Sequence, residues 1–477
     1  MKKTTLIMVA LFAAALAWYL LVERRARPPE ERALEAKRLF HFEPKEIASL
    51  KINRPDGAVR LERSGGEAWR MTVPVAARAD GRAADAAAGT LARLEQSRVV
   101  TNERGAAGLE EMGLSKPRAT VTFTLVSPEP TTVEFGSEVP STNSAFLRIV
   151  GRDEIYLAPA SSVDPFLMSP YDYRDRALLT STILDIGEVR VGRPEGELRF
   201  RRRQDDWWIE APLEDLAEGS AVQSLVSGVI GIRAETFADK EDPSVRYGLD
   251  PPRTTVRLFS RTGEEIGTVA LGEAPPGTTD MVFARVAVPG SPSATASVSG
   301  SGLAGLAKPP SEFRARHAIP FSPWEATVLK ITSPGEVLTF EKVDGLWSLS
   351  SPPGLKVDPG AIDQTLQALS DLEIISYDAS KGIPAPSLGL DPPKATIEVR
   401  LGSAGGQVRA LELGAIAGSP NVIYARTAGR PGVVTVSSAI LDRAKGGAAL
   451  YESRPVTNDA GISAAPEAPG RAGGKGP

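Results

Sequence analysis

The chain contains no cysteine, and only two of its 477 residues are histidine. The absence of cysteine excludes disulfide bonds, thiol nucleophiles, thiolate metal sites and lipid attachment to a cysteine. His41 and His317 lie far apart in the sequence, so a multi-histidine metal site or a Ser-His-Asp triad has little material to use. We therefore expect no catalytic residues, no metal and no cofactor, and we predict that the protein is not an enzyme.

The sequence also lacks an excess of either charge. It has 55 Lys and Arg residues against 59 Asp and Glu residues, which gives a net charge of −4. This near balance provides no general attraction to nucleic acid or to an acidic polymer, so we expect no nucleic-acid partner. The length is that of about three typical domains, and a hydrophobic content of 42% is enough for packed cores.

One long uncharged run occurs, at residues 4–22. As a helix, its 19 residues would span about 28 Å, close to the hydrocarbon thickness of about 30 Å, so the run can cross a bilayer once. A cleaved signal peptide is the alternative, because Ala15 and Ala17 resemble a small-residue cleavage site. We favour a membrane anchor, because the apolar run continues beyond these alanines to Val22.

The charges that flank this run oppose the orientation that we favour. Three arginines follow it and two lysines precede it, at Arg24, Arg25, Arg27, Lys2 and Lys3. A bare count would keep the bulk of the chain inside, but large downstream domains often cross a membrane regardless of such a bias. We expect a single-pass protein with its bulk outside the cytoplasm.

Internal repetition is the strongest pattern in the sequence. An apolar-basic-apolar triplet starts at Leu50 and recurs at Val189 and Leu329, after 139 and 140 positions. Other landmarks keep the same order: a tryptophan followed five residues later by proline (Trp69, Trp207, Trp347), a glycine before a proline-containing turn (Gly113, Gly248, Gly389), a second glycine (Gly136, Gly272, Gly414) and a terminal arginine (Arg176, Arg316, Arg454). The chain therefore holds three tandem copies of one unit, and we predict that the terminal arginines clamp one copy to the next.

Each copy is predicted to be an α+β unit, with a mostly antiparallel sheet and one main helix. Alternating residues at 49–53, 59–63 and 68–73 indicate a three-stranded meander with the tryptophan on its buried face. Asp80, Glu218 and Asp358 stand where a helix should begin. The apolar residues that follow have helical spacing and would bury one face on the sheet: Val222, Leu225, Val226 and Val229 in the second copy, and Ile362, Leu366, Leu369 and Leu372 in the third. Further strands are predicted at 119–126, 131–135, 145–149 and 154–157.

The predicted organisation follows from these landmarks. It comprises an N-terminal membrane anchor at 1–27, a juxtamembrane stem at 28–43, repeat units at 44–180, 181–318 and 319–456, and a disordered tail at 457–477.

Two motifs could indicate catalysis or cofactor binding. Gly300, Gly302 and Gly305 fit the Gly-x-Gly-x-x-Gly pattern of dinucleotide sites, but the other copies have no glycine cluster there and no βαβ unit surrounds it, so we favour a loop. Asp250 and Asp391 could form a catalytic carboxylate pair. We favour turns, because each precedes two prolines and the first copy keeps the turn chemistry without the carboxylate.

Two further features could bind a ligand. The basic cluster at residues 199–203 could meet a phosphate-bearing head group or an acidic partner, but Asp205 and Asp206 follow at once, and we favour a solvated strand edge. The recurrent tryptophans could stack on sugars, but one tryptophan at a fixed place in an alternating strand favours a core position.

Several of these motifs together resemble a known family. The Leu-Phe-His-Phe-Glu-Pro run at residues 39–44, the strand beginning at Leu50, Trp69 followed by Pro74 and the Gly-Leu-Asp-Pro-Pro turns are similar to the bacterial envelope family called domain of unknown function 4340. That family often occurs beside gliding-motility-type ABC transporter components. The resemblance implies an accessory role at an inner-membrane export complex. The first copy departs from the pattern with Gly-Leu-Ser-Lys-Pro.

Two classes of function remain. The hypothesis that we favour is a non-enzymatic scaffold or binding module at the bacterial inner membrane, facing the periplasm or exterior, with ABC transporter subunits as partners. The alternative is a hydrolase that acts on envelope glycans with a carboxylate pair.

Overall fold

The computed structural model describes residues 8, 37–64, 68–100, 105–125, 129–240, 246–354, 356–402 and 406–453. The predicted anchor and the predicted tail lie outside these residues, Met8 excepted. Within the described residues, no helix has the length and apolar character that crossing a membrane requires.

The first copy opens with the predicted meander. The described part of this copy contains the strands β1 (Ile47–Arg54), β2 (Gly57–Ser64), β3 (Ala68–Val73), β4 (Ala77–Arg78), β5 (Arg98–Val100), β6 (Ala119–Leu125), β7 (Pro130–Val139), β8 (Ser144–Ile149) and β9 (Ile155–Pro159). They form one sheet in the order β4-β3-β2-β1-β6-β7-β8-β9-β5. Leu50 pairs with Leu61 on one side and with Phe123 on the other, so alternate apolar residues share one face.

The main helix of the first copy covers this face. α1 (Gly81–Ala92) begins after Asp80, whose side chain accepts hydrogen bonds from the backbone N–H groups of Arg82 and Ala83. Its buried residues join those of the strands in one core, which also contains Leu39 and Phe40. Two short helices complete this copy, α2 (Ala106–Glu111) and α3 (Asp164–Leu167), together with 3₁₀ turns that include Pro170–Tyr173.

The second copy repeats this strand order. Its elements are β10 (Ile186–Arg193), β11 (Gly196–Arg203), β12 (Asp206–Ala211), β13 (Asp215–Leu216), α4 (Gly219–Ile230), β14 (Ala234–Phe237), β15 (Thr254–Ser260), β16 (Glu265–Leu271), β17 (Met281–Ala287) and β18 (Ala294–Ser299). The order is β13-β12-β11-β10-β15-β16-β17-β18-β14. The 3₁₀ turns Ser301–Ala307 and Pro310–Phe313 follow.

The third copy has seven strands in its described part. These are β19 (Ala326–Ser333), β20 (Glu336–Val343), β21 (Leu346–Ser351), β22 (Ala395–Leu401), β23 (Val408–Ala417), β24 (Ser419–Thr427) and β25 (Val434–Ser437), in the order β21-β20-β19-β22-β23-β24-β25. Its helices are α5 (Pro359–Ser370), α6 (Ala385–Leu388), α7 (Ala439–Lys445) and α8 (Gly447–Leu450). Asp358 caps α5 through the backbone N–H of Gly360.

The chain divides into two compact units whose boundary does not follow the repeat. The first unit comprises Met1–Arg199 and Gln223–Lys308, and the second comprises Phe200–Val222 and Pro309–Pro477. The contacts between the first and second copies that are described below lie within the first unit. Those between the second and third copies lie within the second unit.

The predicted secondary structure is confirmed in its main elements. Three copies are present, each with a mostly antiparallel sheet and one main helix of 12 residues. All the apolar positions named from the sequence in the second and third copies are buried, although Leu372, predicted within the helix, lies after its end at Ser370. The edge strands β4 and β5 were not predicted, because two and three residues are too few to show an alternating pattern.

Candidate functional site

The backbone between consecutive copies is held in the same way at each junction. Leu178 N–H donates to the Ile232 carbonyl (3.3 Å), and Ala318 N–H donates to the Leu372 carbonyl (2.8 Å). The carbonyls of Arg176 and Arg316 accept from the next copy as well, each at 2.8 Å. The segment that leaves one copy therefore becomes part of the following copy, at the end of its main helix.

Two of the predicted terminal arginines, Arg176 and Arg316, contact the next copy through their backbone carbonyls. Arg176 is half exposed and lies 3.6 Å from Asp172 in its own copy, and Arg454 lies outside the described residues. The joining side chains are Arg174 and Arg314, two residues before the predicted arginines. Arg174 and Arg314 lie in the same aromatic-Arg endings as the predicted arginines. The sequence pattern therefore predicted the correct segment but not the arginine whose side chain makes the contact.

At the first junction, Arg174 contacts both an aromatic ring and a carboxylate of the second copy. Its guanidinium lies 3.5 Å from the centre of the Phe237 ring. Its Nη1 donates to Asp239 Oδ1 at 2.5 Å. The two charged side chains are only 7% and 18% exposed, so the pair is weakly screened by solvent.

At the second junction, Arg314 repeats these contacts. Its guanidinium lies 4.1 Å from the centre of the Tyr377 ring, and its Nη1 donates to Asp378 at 3.0 Å. Burial raises the pKa of the Tyr377 hydroxyl, which donates to the Ala315 carbonyl at 3.1 Å. The tyrosine therefore stays protonated at neutral pH and adds a hydrogen bond to this junction.

A buried carboxylate completes the second junction. Asp215, at the start of β13, has no exposed surface. Arg314 Nε donates to its Oδ2, Arg430 Nε donates to its Oδ1 at 2.5 Å, and Arg430 Nη2 donates to Oδ2 at 3.0 Å. The backbone N–H of Leu216 also donates to Asp215. Four donors from two cations and the backbone satisfy this carboxylate, as a buried charge requires.

The first junction has a cavity of about 170 Å³. Its lining includes Arg70, Ala77, Arg78, Arg174 and Phe237. Arg70 and Arg78 are directly opposed on β3 and β4, a placement that is unfavourable for like charges unless something compensates them. The compensation within the chain is partial.

The acidic groups at this cavity engage only part of its positive charge. Arg78 lies 3.3 Å from Asp175, and Arg174 pairs with Asp239. Arg70 makes no ion pair among the residues that the structure describes. Three guanidinium groups therefore meet two carboxylates at this place.

The glycine cluster of the second copy has a packing role. It forms the 3₁₀ turn that begins at Ser301. The backbone of this turn lies so close to α4 that a Cβ on Gly228 would be 1.9 Å from the Gly302 carbonyl oxygen. Gly305 lies against Leu225 of the same helix. The glycines thus allow helix and turn to approach closely.

The two aspartates of the Gly-Leu-Asp-Pro-Pro motifs lie in turns. A bridge joins Leu249 to Pro252 in one motif and Leu390 to Pro393 in the other. The Asp250 side chain is 96% exposed, with Arg285 at 4.0 Å. The structural interpretation of these motifs therefore fits their geometry.

The basic cluster of β11 is paired along its strand. Arg199 lies 3.0 Å from Glu188, and Arg203 lies 2.9 Å from Glu214. Arg203 also lies over the Trp208 ring, at 4.8 Å from its centre. These contacts fit a solvated strand more closely than a preformed anion site.

The repeat landmarks have structural environments. Trp69, Trp207 and Trp347 are 3%, 2% and 7% exposed. Gly113, Gly248 and Gly389 have φ of 69°, 63° and 61°, in the left-handed region that favours glycine. The second glycine set allows a close approach of two backbones, since a Cβ at Gly272 would lie 1.9 Å from the Tyr247 carbonyl oxygen.

In the described part of the chain, no group of three or more His, Asp or Glu side chains is placed to hold a metal ion. The cavity at the first junction and the Asp215 cluster are the candidate functional sites, because charged side chains from two copies meet at each.

Comparison with known proteins gives one kind of match. The family described as domain of unknown function, DUF4340, matches three times, at residues 69–245, 207–382 and 347–459. No curated protein matches the chain. The three matches together extend over more than half of the sequence, in the order and spacing of its copies. The chain therefore belongs to the DUF4340 family.

Proposed function

We propose that this protein is a non-enzymatic envelope scaffold or binding module, tethered to the inner membrane by its N-terminal segment and accessory to an ABC-type export complex. The observation that carries the proposal is the repeated junction. At both junctions an arginine that ends one copy lies over an aromatic ring and pairs with an aspartate of the next copy. An arginine-aspartate pair thus joins the copies at both junctions, largely buried at the first and with the Asp378 side chain 67% exposed at the second.

The family matches extend across the junctions, which supports a role for the contacts there. The match at residues 69–245 begins at Trp69 and includes both Arg174 and Asp239. The match at residues 207–382 likewise includes Arg314 and Asp378. Each of these matches therefore extends across the junction between one copy and the next.

The energies involved are sufficient to hold consecutive copies together. A cation over an aromatic ring contributes about 0.5–2 kcal/mol. Removing one partner of a buried ion pair costs about 3–5 kcal/mol. Copies joined in this way would hold their surfaces in a fixed arrangement within each unit, as a scaffold requires. No observation in the described residues favours the glycan hydrolase.

Affinity purification tests the proposal. The full chain, tagged and crosslinked in native membranes, is isolated with its anchor intact and analysed by mass spectrometry. We expect enrichment of ABC transporter subunits with the wild-type chain and with Arg152→Ala, which changes an exposed arginine away from the junctions. Recovery of no envelope partner would overturn the proposal.

The same experiment with a junction variant tests the carrying observation. Arg174→Ala combined with Arg314→Ala removes both joining side chains. We expect reduced recovery of the partners at equal amounts of folded protein, as measured by circular dichroism. Equal recovery would show that the junctions do not support partner binding.

A further inference from the structure

The cavity at the first junction and the Asp215 cluster at the second occupy equivalent positions in the repeat. Ala77 and Asp215 each lie eight residues after the landmark tryptophan. Each opens a two-residue strand that pairs with the tryptophan strand, where Met71 opposes Ala77 and Ile209 opposes Asp215. The two junctions can therefore be compared position by position.

The comparison shows what the first junction lacks. It has Ala77 at the position of the Asp215 carboxylate. It also lacks a counterpart of Arg430, since the loop that joins β17 to β18, which corresponds to the loop that carries Arg430, contains no arginine. The space that a buried carboxylate and its second arginine fill at one junction is an open cavity at the other.

The first junction keeps the donors for a carboxylate. Arg314 uses Nη1 for Asp378 and Nε for Asp215. Arg174 uses Nη1 in the equivalent way, for Asp239, whereas its Nε has no hydrogen bond within the described part of the chain. Arg70 and Arg78 line the cavity from β3 and β4, and Arg78 also donates to the Ala177 carbonyl and lies 3.3 Å from Asp175.

We propose that this cavity binds the carboxylate group of a ligand with a short aliphatic chain, in the place that Asp215 fills at the second junction. Guanidinium groups bind carboxylates by paired hydrogen bonds, and a carboxylate would balance the third guanidinium. Phe237 and Ala77 supply apolar surface for the aliphatic part. The cavity volume of about 170 Å³ is well above the roughly 10–15 Å³ that one water molecule needs on the same measure, so a small organic acid fits.

This inference goes beyond the scaffold proposal and can fail independently of it. The test uses the purified full chain in detergent, with propionate as the probe, and saturation-transfer NMR as the measurement. We expect a Kd in the range of about 1 mM, which is usual for so small a ligand. Trialanine with a free C terminus and trialanine with an amidated C terminus are measured in the same assay. Their comparison shows whether the cavity also binds the carboxylate at the end of a peptide.

The decisive variant is Ala77→Asp, which places a carboxylate where the second junction has one. We expect it to abolish propionate binding, whereas Ala86→Asp, with the same charge change on the exposed face of α1, leaves binding unchanged. If Ala77→Asp does not fold, Arg70→Ala and Arg174→Lys test the same donors, and each should weaken binding by about tenfold.

Several results would overturn the proposal. One is the absence of propionate binding at about ten times the expected Kd. Others are equal binding by Ala77→Asp and the wild type, or equal binding of the amidated and free peptides. Tighter binding of inorganic phosphate than of propionate would also overturn the assignment of a carboxylate.

Discussion

Arg430 Nε lies 2.5 Å from Asp215 Oδ1, although 215 positions separate the two residues in the chain. Their side chains are 2% and 0% exposed. Arg314 donates to the same carboxylate and is 12% exposed. One aspartate thus holds two arginines from different copies, and its loss would leave two buried cations without their shared partner.

Replacing Asp215 by alanine should therefore destabilise the second unit strongly. Loss of one partner from a buried ion pair costs about 3–5 kcal/mol. We expect a lower urea midpoint for Asp215→Ala, while Asp205→Ala, at an exposed position nearby, should change stability by less than about 0.5 kcal/mol. Added propionate should restore part of the lost stability. Similar midpoints for the two variants would contradict the assigned role of Asp215.

The pair of Arg174 and Asp239 should show a measurable coupling energy. The single and double alanine variants form a double-mutant cycle. We expect it to give a coupling energy of about 1–3 kcal/mol, because the pair is largely buried. The pair of Arg78 and Asp175, with side chains 42% and 26% exposed, is a comparison in the same junction. Its coupling should lie below about 1 kcal/mol. The prediction fails if the exposed pair couples as strongly as the buried one.

Gly272→Ala should destabilise the protein through lack of space. A Cβ there would meet the Tyr247 carbonyl oxygen at 1.9 Å, so the backbone would have to move, at a cost of about 1–3 kcal/mol. Gly192→Ala is a matched control, because the nearest atom to its new Cβ would lie at 3.8 Å. Thermal unfolding of the two variants gives the comparison. Equal midpoints would show that close approach of the two backbones does not require glycine at this position.

Buried tyrosines should make the protein sensitive to alkaline pH. Burial raises the pKa of Tyr173 and of Tyr451 above the ordinary value of about 10. The folded state then keeps a proton that the unfolded state releases, so the stabilisation is present below about pH 10 and is lost as the pH rises above it. We expect Tyr173→Phe with Tyr451→Phe to flatten this decline in urea titrations from pH 8 to 11.

The second copy provides a natural precedent for this change. Phe313 stands where the first and third copies have Tyr173 and Tyr451, and all three side chains are fully buried. Phenylalanine at this position is therefore compatible with the packing. A pH dependence that is unchanged in the double variant would exclude these hydroxyls as its source.

Local patterns were enough to predict the repeats, the meander and the main helices. Trp69, for example, lies on the buried face that alternation indicated. The helix that begins after Asp358 starts where a capping carboxylate and proline predicted it. These features depend on residues within one or two turns of each other, so a single sequence contains them.

The junction residues could not be predicted in this way. Asp215 stands in a Pro-Leu-Glu-Asp-Leu segment that resembles an exposed acidic turn, and Arg430 stands between glycine and proline in a loop. Their pairing joins distant parts of the chain and depends on how two copies meet. A position-by-position comparison of the three copies would have directed attention to Asp215, because Ala77 occupies the same place.

The ending of the third copy differs in charge from the endings of the first two. Glu452 makes the backbone bridge to Val357 that Arg174 makes to Ala79 and Arg314 makes to Ala217. A carboxylate at this position cannot pair with an aspartate as the two arginines do, because like charges repel each other. The arginine contact to a following copy is therefore specific to the endings of the first and second copies.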